Sequence, residues 1–117
     1  MKSYQVMIEG VFVDAPDVLK RGGFYSTFFL QANNAPHAMH RVRAMLSERM
    51  AKHGVKQRTD SYFWAHDVWD ITEERFLENE GRDDGFTFFP IGVIARIRMG
   101  FRGRWMRKRK PWLLVSP

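Results

Sequence analysis

The chain has no cysteine. That excludes disulfides, thiolate metal sites and a cysteine nucleophile, and it suits a reducing compartment, so a cytoplasmic location is expected. It also lacks any run of about 18 or more apolar residues, the length a helix needs to cross a bilayer. The longest candidate, Phe86 to Ala95, is interrupted by Thr87 and Pro90 and stops at Arg96. The opening MKSYQVMIEGVFV carries one Lys, and Glu9 breaks its apolar run, so it reads as a first strand and not as a secretory signal. The glycine patterns that cradle phosphates are missing, as is the GxSxG elbow of serine hydrolases. No catalytic signature and no call for a cofactor remain; the expectation is a binding protein rather than an enzyme.

The last absence is of one charge sign at one end. None of the thirteen acids lies beyond Asp84, while eight of the nineteen Lys and Arg residues lie in 96–117. Residues 1–95 therefore carry −2 and residues 96–117 carry +8.

What is present is bulky. Apolar residues make up 44% and aromatics 15% of 117 residues, too apolar for intrinsic disorder and of a length for one core. The expected organisation is a single α+β domain over 1–95, with 96–117 a basic aromatic extension of it.

Tyr4 to Val13 alternates as a strand, with Tyr4, Val6, Ile8 and Phe12 on one face and Gln5, Glu9 and Val11 on the other. Asp14-Ala15-Pro16-Asp17 breaks that pattern and Gly22-Gly23 supplies a turn. Phe24 to Ala32 is a second strand, expected to form a hairpin with the first across the connection at residues 14–23. Asn33-Asn34-Ala35-Pro36 opens a helix. Ala35, Ala38, Met39, Val42, Met45, Leu46 and Met50 line one of its faces, and Gly54 closes it. Ser61 to Ile71 is a third strand with Phe63, Ala65, Trp69 and Ile71 on one face and Tyr62, Trp64, His66 and Val68 on the other. Thr72 to Asn79 fits a short helix or a continued strand, and Gly85 to Phe89 a short strand. After Pro90 the pattern fits a strand or a helix with an Ile94, Ile97, Phe101 and Trp105 stripe; helix is favoured. The sum is a mostly antiparallel sheet of about four strands with one amphipathic helix on a face, in ββαββ order, plus a basic C-terminal helix or strand.

Two constellations invite chemistry. His37 and His40 stand one helical turn apart, and His66 with Asp67 could complete a metal site. However, Arg41 and Arg43 flank the pair and no HExxH general base accompanies it, so solvated helix histidines are the simpler account. Asp67, Asp70, Glu73 and Glu74 form an acidic cluster, better suited to docking the basic end of this chain or of a second copy than to acid–base work.

The basic end supplies the candidate anion- or partner-binding residues: Arg96, Arg98, Arg102, Arg104, Trp105, Arg107, Lys108, Arg109, Lys110 and Trp112. Tyr62, Trp64 and Trp69 are the interface candidates on the sheet. A protein partner or a homo-oligomer leads, because Trp, Tyr, Met and Arg are the types enriched at interface centres. Nucleic acid is the alternative, through phosphate neutralisation and base stacking. An anionic membrane surface is a third, through basic groups at headgroups and inserted aromatics.

Overall fold

The computed structural model describes residues 1–16, 18–92, 95, 97–102 and 104. Its elements run β1 (Lys2–Ala15), β2 (Leu19–Ala32), α1 (Ala35–His53), β3 (Lys56–Ile71), α2 (Glu73–Asn79) and β4 (Thr87–Phe89). The strands form one open antiparallel sheet in the order β3-β1-β2-β4, so the architecture is α+β. A second helix thus stands between the third and fourth strands.

Alternation along β1 gives the sheet two faces. Tyr4, Val6 and Ile8 are buried on the first, with Phe24, Phe28 and Leu30 of β2 and Phe63 of β3. On this face lies α1, through Ala38, Met39, Val42, Leu46 and Met50. The helix begins and ends as its sequence dictates. The Asn34 side chain accepts the His37 N–H at 2.9 Å, and Gly54 closes the last turn at φ 71°, a conformation that costs glycine little. His37 in turn accepts the Asn33 N–H at 3.0 Å, which occupies this histidine in the cap.

The expected faces fail at two bulges. Between Val11 and Val13 the β1 register slips, and Phe12 takes φ 60°, rare for an aromatic residue. Phe12 therefore joins Val11 on the second face and does not follow Ile8 on the first. In β3 the register moves from Met7↔Asp67 to Ile8↔Ala65, leaving His66 as the extra residue. Because the side-chain period is two, this slip transfers Trp69 to the face of Tyr62 and Trp64, away from Phe63. The hairpin is also tighter than expected. Pairing continues to Ala15↔Leu19, so residues 16–18 alone separate β1 from β2.

Thr72 caps α2 by accepting the Arg75 N–H at 3.1 Å, and Phe76 is the buried residue of that helix. β4 pairs with β2 only at Gly23, Phe24 and Tyr25. Further along β2, arginines of α1 take the edge carbonyls: Arg49 donates to the Thr27 carbonyl at 2.7 Å, and Arg41 to that of Gln31. Among the described residues, no helix is long and apolar enough to cross a membrane.

Candidate interaction surface

On the second face, the register sets Glu9 of the central strand between Tyr25 of β2 and Trp64 of β3. Glu9 is 3% exposed. A carboxylate taken that far from water is costly unless it is paired and hydrogen-bonded, and Glu9 is both. The Trp64 indole N–H donates to Oε2, and the Arg102 guanidinium donates to the same oxygen. The Tyr25 hydroxyl donates to Glu9 as well. Burial, and then the Glu9 charge and that hydrogen bond, push the Tyr25 phenol above its ordinary pKa.

Arg102 comes from the helical residues 97–102 and reaches down onto the sheet. Its Nε–H donates to the Tyr62 hydroxyl at 3.3 Å, and its Cζ lies 4.8 Å from the Trp64 ring centroid and 5.9 Å from that of Tyr62. These are cation–π distances, and the partly desolvated setting strengthens them. Burial works against the Arg102 charge, but the Tyr62 hydrogen bond and the Glu9 charge outweigh it and raise the pKa. His66 meets Trp64 edge-on at 5.3 Å and Tyr25 at 5.8 Å, and Phe89 leans on Tyr25 at 5.1 Å. Around this polar centre Val11, Phe12, Tyr62 and Ile91 form a small second core, with Trp64, Phe89, Ala95 and Met99 packed against it. Three paired strands thus build a carboxylate floor with aromatic walls, and the C-terminal stretch supplies a cation to it.

The stretch that carries Arg102 has two sides. Ala95, Met99 and Arg102 turn inward. Ile97 and Phe101, one turn apart, are 59% and 65% exposed, with Arg98 and Arg104 exposed nearby. On α2 the exposed residues include Glu73, Glu74, Leu77 and Glu78, with Leu77 59% exposed, and Arg75, whose guanidinium donates to Gln5.

Of the residues singled out in the sequence, Arg102 is engaged with Glu9, while Arg98 and Arg104 face solvent. Arg96, Trp105, Arg107, Lys108, Arg109, Lys110 and Trp112 lie outside the described residues. Tyr62 is buried, Trp64 half-buried beneath Arg102, and Trp69 43% exposed. The acidic cluster at Asp67–Glu74 reads in the sequence as a dock for the basic end of this chain or of a second copy; among the described residues of that end, Arg102 pairs with Glu9. Sequence reasoning passed over Glu9 and Tyr25, and weighed His66 only as a metal ligand. The available signal was an acid on a strand face otherwise lined by Gln5 and Val11, and only pairing shows that two aromatics flank it.

A second polar locus lies between α1, β2 and the turn before β4. The Arg49 guanidinium sits 3.9 Å from the Phe28 ring centroid, donates to Ser26 Oγ at 2.9 Å and meets Asp83 at 3.1 Å. Lys52 and His53 also reach Asp83, at 3.2 and 3.0 Å, and the His53 hydrogen bond leads the contacts that hold its carboxyl well below the usual range. An open cleft of about 280 Å³ adjoins Arg49, Lys52 and Asp83. Arg49, Lys52, His53 and Asp83 already pair with one another, which makes the locus a tie between elements. Among the described residues, no three His, Asp or Glu side chains gather to hold a metal ion.

Protein-family models, curated proteins and solved structures offer no match to this chain. Its function has to be argued from these surfaces alone.

Proposed function

We propose that this is a small cytoplasmic binding protein that self-associates, setting the basic stretch of one copy against the acidic α2 of another. The observation that carries this reading is the exposed pair Ile97 and Phe101 beside Arg98 and Arg104. Single exposed apolar residues are ordinary, but two large ones a turn apart, on a segment whose other side is already packed, form a contact surface. Charge complementarity names the occupant. Leu77, ringed by Glu73, Glu74 and Glu78, offers an apolar centre with the opposite sign around it. Each copy bears both surfaces, so two copies can satisfy each other reciprocally. The sequence continues the positive charge through Arg107, Lys108, Arg109 and Lys110 to Trp112, so that 96–112 would act as one basic C-terminal element. Trp69 on the aromatic sheet face adds a further contact residue.

Sedimentation velocity over a concentration series tests this. The wild type should gain mass with concentration, whereas Ile97→Asp/Phe101→Asp and Glu73→Lys/Glu74→Lys should both stay monomeric. A wild type that is monomeric throughout overturns the reading. If that monomer co-sediments with anionic but not neutral vesicles, the surface belongs to lipid; if it shifts single-stranded oligonucleotide at low salt, it belongs to nucleic acid.

A further inference from the structure

The Glu9 cradle calls for an explanation that self-association through Ile97 and Phe101 does not supply. Its parts sit on the extensively paired strands β2, β1 and β3. Tyr25 and Trp64 are the direct cross-strand partners of Glu9, and Tyr62 is two pairs further along β3, opposite Val11. Ladder hydrogen bonds fix those positions whether or not the C-terminal stretch is in place. The cation, by contrast, arrives from 93 residues away in sequence, on a stretch joined to β4 through Pro90 and Gly92. A Cβ at Gly92 would meet nothing within 4 Å, so the last anchor before the stretch is Ile91, buried in the second core. Inward apolar contact after that point comes from Ala95 and Met99 among the described residues.

The chemistry of the cradle is selective. The carboxylate at its floor is flanked by the Trp64 indole and the Tyr25 phenol, and its Oε2 accepts from the indole and from the cation together. Tyr62 offers a hydroxyl acceptor at the rim, and the Trp64 face offers a π surface. A planar, multi-donor cation can use all three together; an ammonium, as a compact point charge, cannot span them. With Arg102 lifted away, Glu9 would be left as a buried carboxylate short of its counter-charge, a state that favours capture of another cation.

We propose that the Glu9–Tyr25–Tyr62–Trp64 cradle is a recognition site for an arginine side chain, with Arg102 as an internal occupant that another guanidinium can replace. This goes beyond the self-association reading and does not rest on it. The incoming arginine belongs either to a second copy, whose C-terminal stretch would then be exchanged between chains, or to a different protein.

The test vacates the cradle in the full-length chain and supplies the ligand as a probe, N-acetylarginine amide. Arg102→Gln removes the cation while keeping a hydrogen-bond donor for Glu9; Arg102→Ala removes both and serves as a second vacated form if its circular dichroism remains native. Titration followed by calorimetry and by Trp fluorescence should show the probe binding to the vacated variants. Wild type, and the double variant Glu9→Gln/Arg102→Gln, should bind it at least about tenfold more weakly, since one loses its site to Arg102 and the other lacks the charge. N-acetyllysine amide should bind weakly throughout. Equal response of Arg102→Gln and the double variant, or no binding by any folded vacated form, overturns the proposal. Mixing Arg102→Gln with Glu9→Gln, each in the Ile97→Asp/Phe101→Asp background that blocks association through α2, separates the sources, because the second variant supplies an intact Arg102 to the first. A mixed species of doubled mass supports the site and assigns the arginine to a second copy. Probe binding without such a species supports the site and assigns the arginine to another protein.

Discussion

At the scale of single residues, close approach and charge decide what each position tolerates. Gly10 lies opposite Phe24 in the β1–β2 ladder, and a Cβ there would fall 2.2 Å from the Phe24 ring, which is fully buried and has no room to retreat. Gly10→Ala should therefore lose about 1–3 kcal/mol, the usual cost of overpacking, read from the midpoint of urea denaturation. Nothing in the sequence distinguishes Gly10 from a turn glycine, because its need arises only when Phe24 pairs across it. Asp83 makes a prediction about pH. Its carboxyl is depressed in the folded chain, first by His53 and then, against a burial term, by the Gly85 N–H, Lys52 and Arg49. A depressed acid adds stability above its unfolded pKa of about 3.9 and loses it as pH falls towards the lower folded value. The stability gap between wild type and Asp83→Asn should thus hold steady from neutral pH to about 5 and narrow below about 4, measured by denaturant titration at each pH.

At the scale of elements, legibility followed locality. The α1 helix could be read from end to end because Asn34, the apolar positions and Gly54 each act within a turn or two. The β-strands were recognisable by alternation, but their faces were not, because one extra residue at His66 or a positive φ at Phe12 reverses the phase beyond it. Neither bulge is encoded by a glycine or proline at the site, so composition gave no warning. The candidate site was half visible: Arg102, Tyr62 and Trp64 stood out by residue type, whereas Glu9 and Tyr25 acquire meaning only from register. The docking of α1 against the β2 edge was equally hidden, since Arg49 looks like any charged helix residue until its guanidinium is seen over Phe28. Arg49→Met would keep the apolar stem but lose the bonds to Ser26, Thr27 and Asp83. It should cost about 2 kcal/mol, in the range of hydrogen bonds to charged groups, and speed amide exchange along residues 26–31 of β2.

At the scale of the whole molecule, the uneven charge is the dominant fact, and the structure divides it into two kinds of contact. Arg102 is spent internally on a buried acid, whereas Arg98 and Arg104 stay in water. Salt should separate the two. Exposed pairs are screened as the Debye length falls from about 10 Å at 0.1 M to about 3 Å at 1 M, while partly buried pairs are screened much less. Self-association should therefore weaken steeply between those salt concentrations in sedimentation runs, with the melting temperature of the monomeric Ile97→Asp/Phe101→Asp variant nearly unchanged.

The 93-residue separation of Glu9 from Arg102 also has a meaning in time. Synthesis runs from the N-terminus, so β1 leaves the ribosome long before the residue that neutralises its buried acid. The hairpin can pair at once, and α1 can cover the first face as soon as it follows. Even after β3 adds Tyr62 and Trp64, the second face lacks the cover that Ile91, Met99 and Arg102 give to Val11, Phe12 and Glu9 until those residues emerge. A glutamate at the centre of that face keeps the nascent sheet charged, and so less prone to stick to a neighbour, until its own chain can close over it.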